Sequence, residues 1–323
     1  MDTELTDFDS RLAVSVVVPV YNSQDLLPNL AKRLCLTLGN AARAFELVLV
    51  NDGSHDRSWD VIGDLAMIHP WLRGINLVRN YGQHNALLCG IRAARYEIIV
   101  TMDDDLQHPP EEIPRLLEKL AEGHDVVYGT PREERHTLWR AVASRVTKLA
   151  LQSVMGAETA RKVSAFRAFR SRVREAFDGY SGPFVSVDVL LTWGTTRFAT
   201  TAVRHDPRQL GTSHYTFRKL VAHALNMMTG FSTLPLQFAS LIGFVFTLFG
   251  AGVLGYVVGQ YLIHGTRVPG FPFLASLIAI FSGAQLFALG IMGEYLARMH
   301  FRMMERPTYS MESTTLRHSE FSA

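Results

Sequence analysis

The run Asp103-Asp104-Asp105-Leu106-Gln107-His108-Pro109-Pro110 follows directly on the apolar segment Ile98-Ile99-Val100-Thr101. Three carboxylates at the mouth of a buried strand repel one another, and a divalent cation relieves that repulsion. Side chains alternate in direction along an extended strand. Asp103 and Asp105 are therefore expected to address one ion or one ligand, while Asp104 faces elsewhere. A small set of hard oxygen ligands suits Mg2+ or Mn2+ held jointly with a phosphate, and does not make a closed structural cage. The plainer alternative is a solvated acidic turn, since acids are common at strand ends.

Such a mouth needs a sheet behind it. Residues 14–20, 45–50, 74–78 and 97–102 read as strands, with helices at 26–39, 59–69, 84–94 and 111–122. Alternation of this kind implies an α/β fold, a mainly parallel sheet covered by helices on both faces. Ligands bind such sheets beyond the carboxyl ends of the strands. The polar exits Tyr21-Asn22, Asn51-Asp52-Gly53-Ser54, Arg79-Asn80-Tyr81-Gly82 and residues 103–107 are thus expected along one edge. Residues 125–129 and 200–205 read as further strands. A basic stretch at 132–148 carries Arg132, Arg135, Arg140, Arg145 and Lys148, most of them read as a solvated helix face. No internal repeat is found, and the Ser- and Thr-rich tail after Tyr309 reads as disordered.

The chain has 323 residues and a net charge of +2, which gives no support to a nucleic-acid partner. No Asp, Glu, Lys or Arg occurs between Lys219 and Arg267, or between Arg267 and Glu294. Residues 236–263 and 271–293 are each long enough to cross a bilayer core of ~30 Å at about 1.5 Å per residue, and neither shows a polar face. They are read as a transmembrane hairpin, preceded by an interfacial helix at 216–229. Arg298, Arg302 and Arg306 follow the second span, whereas the short link carries only Arg267, so both termini are placed in the cytoplasm. An acidic N-terminus without signal-peptide character agrees with this. Cys35 and Cys89 then belong to a reduced compartment and read as core residues. Glycines at 243, 250, 252, 255 and 259 allow close helix packing and imply a homo-oligomer.

Five segments in order resemble those of glycosyltransferase family 2 with the GT-A fold: Ser15-Val16-Val17-Val18-Pro19-Val20-Tyr21-Asn22, Asn51-Asp52-Gly53-Ser54, Arg79-Asn80-Tyr81-Gly82-Gln83, Asp103-x-Asp105-Leu106-Gln107-His108-Pro109-Pro110, and Gly211-x-Ser213-x-Tyr215. The closer likeness is to its polyisoprenyl-phosphate glycosyltransferases, the group of dolichol-phosphate-mannose synthase and the bacterial GtrB-type and ArnC-type transferases. Gly293-Glu294-Tyr295-Leu296-Ala297-Arg298 and Arg306-Pro307 also resemble the bacterial members. The resemblance implies a nucleotide-sugar site formed by Pro19, Tyr21, Asn22, Asp52, Arg79, Asp103 and Asp104. Tyr21 and Asp52 would contact the base or ribose, and Asp103 the ribose side. Asp105 and Gln107 would bind the metal that bridges the diphosphate. Arg208 and Ser213 would hold the acceptor phosphate, so that Asp103, Asp105, Gln107 and Arg208 form the catalytic set. The chain departs from the pattern at Ser23, where a Glu is usual, at Ala165, where an Asp often precedes Phe-Arg, and at His214, where a Lys is usual.

A lipid phosphate as acceptor also follows from chemistry. A phosphate monoester is already anionic at neutral pH and needs cations to approach an anionic donor, not a general base. Arg132, Arg135, Arg208 and His214 are the candidates, with Ser213 as a hydrogen-bond donor. The activity expected is inverting sugar transfer from a nucleotide-sugar, UDP-linked on this reading, to a polyisoprenyl phosphate at the cytoplasmic face of the inner membrane. The acceptor would be undecaprenyl phosphate in a bacterium. The expected organisation is an arm at 1–12, a catalytic domain at 13–215, an interfacial helix and linker at 216–235, two spans within 236–296 and a basic tail at 297–323. A processive polysaccharide synthase is disfavoured because no Gln-x-x-Arg-Trp segment occurs. An inactive scaffold of the same fold is the third reading, and a transporter is disfavoured because the spans lack ionisable residues. Since the four exits precede residue 230, a chain ending there is expected to bind nucleotide still.

Overall fold

The structure, a computed structural model, describes residues 12–131, 163–182, 184–206, 234–264, 270–304 and 306–315. The first strand, β1 (Ala13–Val20), is buried along its whole length. It lies between parallel neighbours, β2 (Ala44–Asn51) on one side and β4 (Ile98–Thr101) on the other, and β2 pairs in parallel with β3 (Leu72–Leu77). The connections are α1 (Leu27–Ala41), α2 (Ser58–Ile68) and α3 (Gln83–Ala93). After β4 a short 3-10 turn, Pro110–Glu112, leads into α4 (Ile113–Ala121). β5 (Val126–Pro131), β6 (Arg167–Arg170) and β7 (Phe198–Val203) extend the sheet, and α5 (Val187–Gly194) packs behind them. Across the described residues the order is β7-β5-β6-β4-β1-β2-β3-β8, where β8 is Met311–Thr314.

Side-chain alternation in β1 divides the core. Val14, Val16, Val18 and Val20 pack with α1, α2 and α4 on one face, whereas Val17 packs with α3 and α5 on the other. Every residue of β1 is apolar or hydrogen-bonded, as a strand buried on both faces requires. Its one hydroxyl, Ser15, donates to Glu46 at 2.6 Å. Cys89 lies in the second half of the core, and burial pushes its thiol up to about 12, so it is a protonated packing residue. Cys35 is half-buried on α1.

Two features differ from the sequence expectation. β6, a strand with no counterpart in the sequence pattern, runs antiparallel to both β4 and β5. Its four residues are too few for a period to show, and its Arg167 is buried. The tail after Tyr309, expected to be disordered, instead supplies β8 (Met311–Thr314), antiparallel to β3 at the sheet edge. Its Ser and Thr composition conceals the fact that an edge strand gains its bonds from a neighbour, not from its own apolar content.

α6 (Leu234–His264) and α7 (Phe271–Met303) follow the sheet domain. Both are long and apolar enough to cross a membrane, over Pro235–Ile263 and Ile280–Met303. Gly250 lies against Phe281, where a Cβ would come within 3.1 Å of the ring, while Gly243, Gly252, Gly255 and Gly259 meet nothing within 4 Å. α7 carries Arg298 and Arg302 as helical residues. Their guanidinium groups lie over Phe184 at 4.3 Å and Tyr180 at 5.9 Å. The helix end thus rests on the sheet domain. The expected helices at 132–148 and 216–229 lie outside the described residues.

Candidate active site

Because β1 to β4 are parallel, their exits fall on one edge, and hydrogen bonds tie the exits together. The carboxylate of Asp52, 3 % exposed, accepts the backbone N–H groups of Tyr81 at 2.7 Å and Gly82 at 2.9 Å. Gly53 has φ 66°, and a Cβ there would sit 2.4 Å from the Asn80 nitrogen, so only glycine lets the second and third exits touch. Asn22 (φ 55°) donates its N–H to Ser54 at 3.0 Å and accepts that of His55 at 2.8 Å, which joins the first exit to the second. The fourth exit reaches the first through Asp104, which accepts the Tyr21 N–H at 3.3 Å. It reaches the third through Asp103, which accepts from the Gln83 side chain at 2.6 Å.

The acidic run is not extended. β4 ends at Thr101, and the chain then turns through Leu106 at φ 58°. A left-handed leucine is unfavourable by about 1–2 kcal/mol, but its side chain is completely buried under the turn. Asp105 accepts the Gln107 N–H at 3.1 Å inside that turn. The expected alternation of Asp103 and Asp105 against Asp104 is therefore corrected: a turn, not a pleat, sets the three directions. Asp103 faces the third exit, Asp104 the first, and Asp105 its own loop.

Burial raises the Asp52 carboxyl, and the two loop N–H bonds oppose that rise. Burial likewise raises Asp104, opposed by hydrogen bonds from Ser23 and Tyr21. His108 stacks on Phe166 at 5.3 Å and meets the His205 ring edge-on at 4.9 Å. Burial, with His205 beside it, pushes His108 down to about 4 against the pull of Asp105, so it is neutral at pH 7. Tyr21 is 45 % exposed and Arg79 stacks over Tyr81 at 4.8 Å, two flat surfaces at the open mouth. Pro19 is buried within β1, opposite Val50.

Among the described residues no three His, Cys, Asp or Glu side chains stand together as an ion cage. Asp105 and the Gln107 amide, oxygen donors on one turn, suit Mg2+ or Mn2+ held jointly with a phosphate, whereas Asp103 turns to Gln83 on the third exit. Arg132, Arg135, Arg208, Ser213 and His214 lie outside the described residues.

Sequence reasoning missed a buried cluster directly behind the fourth exit. Arg167, 1 % exposed, pairs with Asp188 and donates from Nε to Thr101 Oγ1 at 2.9 Å. The Thr101 hydroxyl donates to the Ala165 carbonyl at 2.9 Å, and Tyr128 lies 3.3 Å from the Asp188 carboxylate. The available signal was a lone acid in the apolar run Val187-Asp188-Val189-Leu190-Leu191, since a buried charge needs a partner.

A mainly parallel sheet whose linked exits present acids, an aromatic ring and a stacked arginine forms a ligand site beyond the strand ends, the place where open α/β sheets bind nucleotides. The solved structures similar to this chain include glucosyl-3-phosphoglycerate synthase from Mycobacterium tuberculosis in complex with Mn2+, UDP and glucosyl-3-phosphoglycerate. That match has a TM-score of 0.52 at 18 % identity and covers 71 % of this chain and 82 % of that one. Residues 15–177 match the family described as Glycosyl transferase family 2. The undecaprenyl-phosphate 4-deoxy-4-formamido-L-arabinose transferase of Edwardsiella ictaluri is 35 % identical over 314 residues, covering 96 % of each chain. Its namesake from Pseudomonas aeruginosa PAO1 is 36 % identical over 305 residues, covering 93 % of this chain and 89 % of the relative. The chain belongs to glycosyl transferase family 2.

Proposed function

We propose that this chain transfers a sugar from a UDP-linked donor to a polyisoprenyl phosphate with inversion at the anomeric carbon, supplying a lipid-linked sugar for cell-envelope glycan or lipid modification. The observation that carries the reading is the joined set of four exits in a chain that also carries two long apolar helices. Relatives matching over nearly the whole length bear undecaprenyl-phosphate transferase names, which supports the lipid acceptor. Tyr21 and the Arg79–Tyr81 pair offer faces for the base and ribose. The Asp52 carboxylate fixes the loop at Tyr81 and Gly82 and, as the resemblance implies, would also contact the base or ribose. Asp105 and Gln107 would hold Mg2+ or Mn2+, which when bound neutralises charge on the departing diphosphate, and Asp103 would face the ribose side.

The acceptor phosphate is its own nucleophile, and Arg132, Arg135, Arg208, Ser213 and His214 are assigned to hold it from sequence alone. Pro235–Ile263 and the α7 segment would span the membrane, with the arginines of α7 on the cytoplasmic side, so that the mouth meets lipid headgroups.

The test is mass spectrometry of lipids after the purified full chain is incubated with undecaprenyl phosphate vesicles, Mg2+ and a panel of UDP-sugars. One UDP-sugar should yield a single-glycosyl lipid with release of UDP. A polymeric product would point to a processive synthase. Nucleotide release without a glycolipid would refute the acceptor.

A further inference from the structure

β8 follows the apolar helices in sequence yet lies on the outer edge of the sheet that carries the exits. Thr314 stands opposite Ile75, Ser313 opposite Asn76 and Met311 opposite Leu77, with a bulge between the last two pairs. The bonding runs past the ladder at both ends. Val78, immediately before the Arg79 exit, donates its N–H to the Ser310 carbonyl at 3.0 Å. At the other end Thr315 donates to Gly74 at 3.0 Å, and Gly74 donates back to the Thr315 hydroxyl at 2.7 Å. Side chains extend the link inward: Asn76 donates to the Glu312 carboxylate at 2.7 Å and accepts from Asn51 at 2.7 Å. Asn51 is the residue before Asp52, whose carboxylate holds Tyr81 and Gly82. Tyr309 is seated beneath Arg92 at 5.8 Å and hydrogen-bonds Cys89 on α3, the helix that Gly82 opens.

We propose that residues 309–315 are positioning residues of the donor site, a strap from beyond the membrane helices that holds the β3 exit in its nucleotide-binding conformation. The proposal rests on reading the exits as the donor site. Two independent contacts reach that exit from the strap: the backbone bond at Val78, and the polar chain Glu312–Asn76–Asn51 that ends beside Asp52. The strap begins six residues after α7 ends at Met303, and Arg298 and Arg302 of α7 lie on Phe184 and Tyr180 of the same domain. Seating of the domain on its membrane helix and the geometry of the donor loop are thus held by one continuous segment. A chain ending near residue 230 would therefore lack part of its donor site, although every exit motif precedes that point.

The test compares the full chain with Glu312→Ala and with a chain stopped after Pro307, all in detergent. UDP affinity is read by calorimetry, and amide exchange is read at residues 78–82. Removing the strap should weaken UDP binding by about tenfold or more, the value of one charge-assisted hydrogen bond. Glu312→Ala should do so by a few-fold, raising KM for the donor and leaving KM for the lipid phosphate unchanged. A synthetic peptide of residues 308–315 should restore part of the loss by adding back the strand. Equal UDP affinity in Glu312→Ala and the full chain, with unchanged exchange at residues 78–82, would overturn the proposal even if thermal stability fell. Should the intact chain itself fail to bind UDP, the donor reading falls. The strap is then judged by exchange alone, and unchanged exchange at residues 78–82 after truncation refutes it.

Discussion

Replacing Asp52 by Asn separates direct contact from loop positioning. The carboxylate accepts two backbone N–H groups, from Tyr81 at 2.7 Å and Gly82 at 2.9 Å, in a buried position. An asparagine keeps one acceptor oxygen and turns an amino group toward the second N–H, so one charge-assisted bond is lost and two donors face each other. A lost bond of this kind and an unpaired N–H together amount to roughly 3 kcal/mol, about a hundredfold in the equilibrium between ordered and open loop. The volume is unchanged and the core untouched, so global unfolding should shift little. Hydrogen exchange in nucleotide-free Asp52→Asn should therefore rise at residues 81 and 82, and UDP affinity should fall with it. Unchanged exchange at those amides would refute the reasoning. If UDP affinity alone dropped, Asp52 would be a direct ligand contact, as the sequence resemblance implies.

Asp105→Asn should leave thermal unfolding nearly unchanged, because an amide oxygen still accepts from Gln107. It should lower sugar transfer by about two to three decades, and near-normal turnover in the presence of a chelator would refute the metal assignment. Asp188→Asn should destabilise by about 3–5 kcal/mol because it leaves the Arg167 guanidinium buried without its counter-ion. Arg167→Met with Asp188→Leu should recover most of that loss in chemical denaturation, and strict additivity of the two changes would sink this view. Burial pushes Asp125 upward, but hydrogen bonds from Thr195, Arg172 and Arg197 outweigh it and hold the carboxyl well below the usual range. Its contribution is therefore complete above the ordinary carboxylate pKa of about 4 and is lost as pH falls further. The gap in melting temperature between the full chain and Asp125→Asn should close on acidification, and a gap that widened would reverse the sign.

Much of the proposed donor side is legible in the sequence because its determinants are local. A strand buried on both faces must be continuously apolar, so β1, β2 and β4 stand out from their composition. The order of strands and helices then requires parallel pairing, which places Tyr21, Asp52, Arg79 and Asp103 on one edge whatever the details. The two apolar helices are likewise legible, because their length and lack of charge need no partner to be seen. Tertiary structure decided what each polar group at that edge does. Asp52 serves the neighbouring loop, since Gly53 lets the two exits meet. The three aspartates are turned apart because the chain leaves β4 at Thr101 and enters a turn, which runs on into a left-handed Leu106 whose strain is offset by burial of its side chain. β6 and the Arg167–Asp188 pair emerge only when strands distant in sequence lie side by side. β8 is the clearest instance. Its four residues have neither the apolar content nor the period of a strand, and they form one because β3 offers an open edge of N–H and C=O groups that a returning tail can satisfy.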